Sequence, residues 1–401
     1  MRILKVTQAY YPFLEKGGPT VKVRAIARAL RERGHPVTVL TTDLGFESCR
    51  VHPPSAKRGP WGWQAEPDGV EAVYLRPSAR YRMLTLNPAV LDFCRQRMAG
   101  FDLVHIYGLY DLLGPAAASA CRQRGIPYVV EPMGMFRPIV RSLQLKRIYH
   151  WLFGARMVRR ANRLIATSEQ EREELIEGGV PAGKVALRRN GIEVPQERPP
   201  AGAFRRQWNI PAEAKLVLFL GRLVSKKSPE LILEAFADWR KTTKLRQPVR
   251  LVLAGPDEDD GYRKKLETFA AGLGLNGGVV FTGPLYEGAK WAAYQDADVF
   301  VLPSQNENFG NTAGEAVACG TPVIVTDRCG IAPWVKDRAG LVVPHDRAAL
   351  GAGLAQLLDD DALGRRMRAG CAEAARALGW EEPLTEMISL YRELVGEEQR
   401  K

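Results

Sequence analysis

Residues 299–325 read VFVLPSQNENFGNTAGEAVACGTPVIV. The apolar start predicts a buried strand, the breaker-rich PSQNENFGN predicts a loop, and TAGEAVACG predicts a short helix that leads into a second strand. Thr312 is the predicted N-cap of this helix, because Glu315 follows it at the spacing of a capping box. Such a βαβ unit places its loop at the carboxyl end of a parallel strand, where open α/β sheets bind their ligands.

This loop contains two carboxylates, Glu307 and Glu315, and a glycine, Gly310, that lets a ligand approach the backbone closely. The backbone N–H groups at or near the helix N-terminus are those of Phe309, Gly310, Asn311 and Thr312. A helix N-terminus favours phosphate, whereas carboxylates accept hydrogen bonds from neutral hydroxyls. The pattern predicts a nucleotide diphosphate site with ribose or sugar hydroxyls on the carboxylates. The alternative is that Glu315 is only a capping partner and Glu307 a solvated charge.

The composition is that of an ordinary globular protein, and 401 residues are enough for two domains. The six cysteines form no CxxC pair, which favours small buried residues in a reducing compartment over zinc ligands or disulfides. The N-terminus runs directly into a strand pattern, and no apolar stretch reaches the ~18 residues that a membrane span needs. We therefore expect a cytosolic protein, with peripheral association to the inner face of the cell membrane left open.

The positive charge is concentrated in the first half of the chain. Residues 1–195 contain 30 Lys and Arg against 17 Asp and Glu, which accounts for the whole net charge of +12. Within them, residues 137–163 hold eight basic residues and no acid, interleaved with apolar and aromatic residues. Such a helix can lie on an anionic bilayer surface. An ordinary amphipathic helix that faces the core is the alternative, and no recognised nucleic-acid motif accompanies the charge.

Strands alternate with helices in both halves, which predicts an α/β protein of two Rossmann-like, doubly wound domains facing a cleft. The Pro-rich RPPAGA at 198–203 sets the predicted boundary, so that residues 1–197 and 198–380 form the two domains and 381–401 a last helix. Residues 47–70, rich in Gly, Pro and Trp, are predicted to be irregular. The glycine loop at Gly17 and Gly18 is not a GxGxxG motif; it permits either a ligand contact or a simple turn.

A second group of charged residues follows the first strand of the C-terminal half, in GRLVSKKSPE. Arg222 directly follows the strand end, and Lys227 stands in the next loop. Both side chains can reach the carboxyl end of a parallel sheet, where Arg and Lys suit diphosphate oxygens. Two solvated surface cations are the alternative.

Together, GRL with a downstream lysine and PSxxExFGxxxxEAxAxGxPVI resemble the retaining glycosyltransferases of family 4. The similarity extends to the first-loop glycines, RGHPVTVLT, Asn190-Gly191 and LVLAGPD, and so covers nearly the whole chain. It implies the GT-B fold, with the acceptor mainly on the N-terminal domain, the nucleotide sugar on the C-terminal domain, and the last helix crossing back to the N-terminal domain.

The resemblance also implies roles for individual residues. Glu307 would contact donor-sugar hydroxyls, Glu315 the ribose, and Arg222 with Lys227 the diphosphate. The remaining implied donor contacts are Gly18, Pro284, Leu285, Asn308, Phe309, Gly310, Asn311 and Thr312. His105 matches a frequent family histidine that lines the acceptor side or is a satisfied core residue, and Glu131 is a weaker acceptor-side candidate. No protein nucleophile is implied.

No metal or other cofactor is expected beside the donor substrate. Asp296 and Asp298 spell DxD, but they lie at a predicted helix end entering a strand, where structure explains them.

Three positions depart from the family pattern. Met133 stands where the family often has His, although PMGM resembles a subgroup with PxGM. Ser228 follows Lys227 where Gly is usual, and the first loop reads GGPTV where a third Gly is more usual. These departures affect the groups that face the sugar more than the diphosphate site.

The sequence thus predicts a hexosyltransferase that uses a nucleotide diphosphate sugar and a cell-envelope glycan or lipid-linked acceptor, as in polysaccharide or lipopolysaccharide biosynthesis. A nucleotide-sugar epimerase and a non-catalytic, nucleotide-binding partner subunit of the same fold remain alternatives. Because similar scaffolds serve many substrates, the sequence does not name the sugar, the base or the acceptor.

Overall fold

The computed structural model describes residues 1–14, 17–46, 56–81, 84–137, 143–193, 197–257 and 261–398. The chain forms two compact units: Met1–Arg189 with Glu381–Lys401, and Asn190–Trp380. The division falls at residue 190 rather than at the predicted 198, because Ile192 is buried in the core of the second unit.

The first unit is built on a largely parallel sheet. Its strands are β1 Ile3–Thr7, β2 Val37–Thr42, β3 Lys57–Gly59, β4 Gly62–Ala65, β5 Glu71–Leu75, β6 Ala79–Tyr81, β7 Leu84–Leu86, β8 Leu103–Tyr107, β9 Tyr128–Glu131, β10 Arg163–Ala166 and β11 Val185–Leu187. Nine of them pair in the order β11-β10-β9-β8-β1-β2-β5-β4-β3, and β6 pairs with β7 separately. Strands β1 and β8 are buried throughout, as central parallel strands are when helices cover both faces.

The helices of the first unit are α1 Gly18–Glu32, α2 Ala89–Arg97, α3 Leu113–Arg124, α4 Leu143–Tyr149, α5 Ala155–Arg160 and α6 Glu169–Glu177, with a π-helical turn at His150–Gly154. Ser168 caps α6 as its spacing from Glu171 predicts, since the serine hydroxyl accepts a hydrogen bond from the Glu171 N–H.

The prediction of an irregular segment at 47–70 is wrong for its second part, while residues 47–55 lie outside the described residues. Residues 57–65 form a β-hairpin, β3–β4, that extends the sheet antiparallel to β5. Gly62 makes this register possible: its φ is 148°, and a Cβ there would lie 2.2 Å from the Tyr74 carbonyl oxygen. Trp61 is buried against Phe93, so the aromatic residues serve the core.

The last helix of the chain, α15 (Glu381–Glu398), packs on the first unit. Its buried side chains share one helical face: Leu384, Met387, Tyr391 and Leu394. The Tyr391 hydroxyl reaches Nδ1 of His105 on β8, and Arg189 pairs with Glu382 at 2.8 Å. Apolar packing and polar contacts therefore both fix this helix.

The second unit is a doubly wound sheet with all pairs parallel, in the order β14-β13-β12-β15-β16-β17. The strands are β12 Lys215–Leu220, β13 Val249–Ala254, β14 Val279–Gly283, β15 Val299–Leu302, β16 Val323–Thr326 and β17 Gly340–Val343. The helices are α7 Ala203–Gln207, α8 Pro229–Thr242, α9 Tyr262–Gly272, α10 Glu287–Asp296, α11 Asn311–Ala318, α12 Ala332–Val335, α13 Arg347–Leu358 and α14 Asp361–Ala377.

Helices cover both faces of this second sheet. Residues of α7, α10 and α11 bury one hydrophobic core, and residues of α8, α9 and α13 bury the other. The predicted α/β class with parallel, doubly wound sheets is confirmed. Within the described residues, no helix combines the length and the apolar character that crossing a bilayer requires.

Candidate functional site

Two loops at the carboxyl end of the second sheet bring the predicted donor-site charges together. Strands β12 and β15 are neighbours, so the loops that follow them are adjacent. Lys227, in a 3-10 turn at Ser225–Lys227, places its Nζ against Oε2 of Glu307. The two side chains are 15% and 18% exposed, so the pair is largely buried but still reaches the surface.

Charge around Glu307 keeps its carboxylate ionised. Burial alone would raise the pKa of Glu307, but the Lys227 ammonium lowers it, with Lys226 and Arg222 contributing, and the pKa lies below its usual value. Arg222 itself is exposed, two residues after the end of β12. An ionised carboxylate can accept hydrogen bonds from hydroxyls, while the neighbouring cations suit an anionic group.

The N-cap of helix α11 lies two residues earlier than the sequence predicts. Gly310, not Thr312, is the N-cap, and its φ of 107° is unfavourable for a side chain. A Cβ at Gly310 would also come within 3.0 Å of Ile331, so glycine is required there. Asn311 and Thr312 supply the first N–H groups of α11, which an α-helix leaves without intrahelical partners.

The two residues before Gly310 complete this loop. Asn308 is half-buried, and Phe309 is buried in the core, where it anchors the loop just before Gly310.

Glu315 is held by α10 and is not a capping partner. Lys290 donates to its Oε1 at 2.7 Å, and the Tyr294 hydroxyl donates to its Oε2 at 2.9 Å. Neither residue was predicted from the sequence as part of the site, although their spacing places them on one face of a helix. Glu315 therefore presents a fixed carboxylate beside the start of α11.

The other predicted donor contacts are more scattered. After β14, Pro284 is exposed, whereas Leu285 is buried in the core of the second unit. Gly18 belongs to the first unit, where it starts α1 after the N-cap Gly17. Asp296 and Asp298 bind Arg205 and backbone N–H groups, which is the structural role that their position predicts.

The acceptor-side hypothesis for His105 and Glu131 is not supported, because both side chains are fully buried within the first unit. Glu131 pairs with Lys22 on α1 and with Arg188 at 2.8 Å after β11. Burial lowers the pKa of His105 to about 3, so the ring is neutral. It shares a hydrogen bond with the Tyr391 hydroxyl, as a core histidine does. We call these residues, Lys22, His105, Glu131, Arg188 and Tyr391, the buried polar cluster.

Two departures from the family pattern adopt left-handed backbone. Met133 has φ 56° and Ser228 has φ 50°, values at which glycine is unstrained and other residues are not. Each of these two residues therefore carries a conformational cost.

Residues 17–191 match the family described as Glycosyl transferase 4-like domain, and residues 201–377 match Glycosyl transferases group 1. A D-inositol 3-phosphate glycosyltransferase of Thermobispora bispora is 31% identical over 414 residues, with 94% of this chain and 90% of that enzyme covered. An enzyme of the same description from Streptomyces bingchenggensis is 34% identical over 241 residues, which cover 58% of this chain and 53% of that enzyme.

Solved structures share the fold across nearly the whole chain. HepE of Anabaena, in complex with UDP and glucose, has a TM-score of 0.76 at 20% identity over 97% of this chain and 99% of HepE. The sucrose-phosphate synthase of Thermosynechococcus elongatus has a TM-score of 0.74 at 23% identity over 98% of this chain and 99% of that chain. By sequence and by fold, this chain belongs to the family 4 glycosyltransferases of the GT-B type.

Proposed function

We propose that the protein transfers a hexose from a nucleotide diphosphate sugar to an acceptor hydroxyl, with retention of anomeric configuration. The observation that carries this proposal is the Lys227–Glu307 pair beside Arg222 and the start of α11. The pair combines a cation for a diphosphate with an ionised carboxylate for sugar hydroxyls. The HepE complexes with UDP and with UDP-glucose add support by analogy of fold.

In the proposed reaction, the bond between the anomeric carbon and the diphosphate oxygen breaks, and the acceptor oxygen forms its bond from the same face. The acceptor proton passes to the departing diphosphate, so no protein nucleophile is needed. Negative charge grows on the diphosphate, and Arg222, Lys227 and the N–H groups of Asn311 and Thr312 would stabilise it. Because these groups supply the positive charge, we propose that the transfer needs no metal ion.

A screen of nucleotides by thermal unfolding tests the donor half of the proposal. One of UDP, ADP or GDP, or its sugar conjugate, at about 100 times its dissociation constant should stabilise the protein by about 2.7 kcal/mol. Arg222→Ala should lose this response, whereas Arg206→Ala, which removes an exposed arginine on α7, should keep it. If no nucleotide stabilises the protein, the proposal is contradicted. If the donor alone yields an epimer, the epimerase alternative replaces it.

We further propose that the acceptor is lipid-linked and that the first unit docks on an anionic bilayer. The segment 143–160 exposes large apolar side chains: Ile148 53%, Trp151 79%, Leu152 48% and Phe153 42%. Exposed arginines flank them, namely Arg147, Arg156, Arg159 and Arg160, and residues 137–163 contain no acid. Apolar and aromatic side chains among cations suit a membrane interface with anionic lipid.

Replacing Arg156, Arg159 and Arg160 together with alanine should weaken binding to anionic vesicles about 100-fold, since each cation near such a surface contributes about 1 kcal/mol. Flotation with vesicles of phosphatidylcholine and phosphatidylglycerol measures this. The matched control changes three exposed arginines of α14, Arg365, Arg366 and Arg376, to alanine, which removes the same charge elsewhere. Equal loss in both variants, or binding to neutral vesicles that is just as tight, would contradict docking through this segment.

A further inference from the structure

At the carboxyl end of the second sheet, hydrogen bonds join three loops and the end of β17 with its following loop into a closed ring. The bonds run from Gln305 N to Lys226 O (3.0 Å), from Glu307 N to Arg328 O (3.0 Å), from Asp327 N to Val343 O (2.9 Å), and between Ser228 Oγ and His345 Nε2 (2.9 Å). The first three join neighbouring strands of the order β12-β15-β16-β17 through backbone groups. The fourth joins two side chains and connects the loop after β12 directly to the loop after β17.

The fourth bond uses a strained residue. Ser228 has φ 50° and ψ 49°, a left-handed conformation that costs a non-glycine residue roughly 1–2 kcal/mol. Its position is the N-cap of α8, yet its hydroxyl makes no capping bond to the helix backbone. The buried hydroxyl bonds His345 instead, so the serine is explained by the ring and not by the helix.

Ser228 is bonded covalently to Lys227, the residue that pairs with Glu307. The Lys227 N–H donates to the Val224 carbonyl at 2.9 Å and the Ser228 N–H to the Ser225 carbonyl at 3.0 Å, which closes the short turn that carries Lys227. A tether at Ser228 therefore limits how far this turn and the Lys227 side chain can move. Displacements of about 1 Å can matter greatly for groups that bind a reacting centre.

We propose that Ser228 and His345 are positioning residues that hold Lys227 in place for the diphosphate. This inference rests on the proposed function, because it assigns Lys227 to a nucleotide diphosphate. His345 acts as a neutral ring: burial lowers its pKa, and Arg328 lowers it further. A neutral imidazole can accept a hydrogen bond from, or donate one to, the serine hydroxyl. The bond between Ser228 and His345 thus restrains this loop, which a glycine at position 228, having no side chain, could not do.

Isothermal titration of the intact protein with UDP, ADP and GDP tests the proposal. His345→Ala and Ser228→Ala should each raise the dissociation constant of the nucleotide that binds wild type about tenfold. The double variant should be no weaker than either single variant, since both remove the same bond. His345→Gln, which places an amide near the position of Nε2, should recover most of the affinity. The matched control is His35→Ala, since His35 is a half-buried histidine of the first unit.

The outcomes separate this inference from the proposed function. If wild type binds none of the three nucleotides, the proposed function fails and this inference fails with it. If wild type binds one and the Ser228→Ala and His345→Ala variants bind it equally well, only the positioning role is overturned. Additive losses in the double variant, or no recovery in His345→Gln, would overturn it as well. Ser228→Ala removes one oxygen atom, so it decides the matter even where His345→Ala fails to fold.

Discussion

Replacing Lys227 with alanine is expected to lower kcat/KM for the nucleotide sugar about 100- to 1,000-fold, which corresponds to about 3–4 kcal/mol of transition-state stabilisation. The expected loss is large because Lys227 is the cation in direct contact with Glu307, and both side chains are largely buried. Negative charge on the departing diphosphate is greater in the transition state than in the bound substrate, so kcat should fall more than KM rises.

Steady-state kinetics with the donor identified by thermal unfolding measure this loss. Lys241→Ala removes an exposed lysine on α8 of the same unit and should leave both constants unchanged. Lys227→Arg keeps the charge and should retain more activity than the alanine variant. A Lys227→Ala protein with more than a third of wild-type kcat/KM would contradict the assigned role.

The same variant should change the pH dependence of activity in one direction. Lys227 is the main group that lowers the pKa of Glu307 against the opposing effect of burial. Without that cation, the pKa of Glu307 rises, and the carboxylate becomes protonated at a higher pH than in wild type. The acid limb of the pH–rate profile should therefore move to higher pH in Lys227→Ala and stay in place in Lys241→Ala. A shift to lower pH would show that Glu307 is not the group observed.

Much of the loop between β15 and α11 could be predicted from the sequence because its signals are local. Apolar runs, breakers and glycines within 299–325 predict strand, loop and helix, and the structure has β15, α11 and β16 there. The predicted cap at Thr312 failed because Glu315 is drawn to Lys290 and Tyr294, which lie on another helix. Spacing within one helix carries no information on such a partner.

The position of a residue after a strand predicts its location but not its burial. Glu131 is the last residue of β9, Glu307 lies in the loop after β15, and His105 lies within β8. The burial of His105 depends on helix α15, because Tyr391 of that helix lies against the His105 ring. These two residues are separated by 286 positions in the chain, so no local pattern predicts their contact. Similarly, the hairpin β3–β4 depends on a glycine that fits against Tyr74 of a neighbouring strand. Contacts between distant segments are what the sequence pattern leaves open.

Replacing Glu131 with alanine is expected to destabilise the first unit by about 3–5 kcal/mol, the usual cost of breaking a buried ion pair by removing one partner. The carboxylate faces Lys22 and Arg188, whose side chains are 4% and 3% exposed, so two cations would be left buried without it. Burial already lowers the pKa of Lys22 to about 8, which shows how weakly this site tolerates charge even with Glu131 present.

Urea unfolding followed by circular dichroism measures this loss, and Glu71→Ala is the matched control. Glu71 also pairs with an arginine, Arg97, but both of these side chains are more than a third exposed. Losing this pair should therefore cost about 1 kcal/mol or less.

The Glu131→Gln variant separates charge from hydrogen bonding. Its side chain keeps the shape of glutamate and can still accept hydrogen bonds, yet it lacks the charge. If Glu131→Gln is as unstable as Glu131→Ala, the cluster depends on charge; if it is nearly as stable as wild type, hydrogen bonding suffices. A loss below about 1.5 kcal/mol in Glu131→Ala would contradict the ion-pair role.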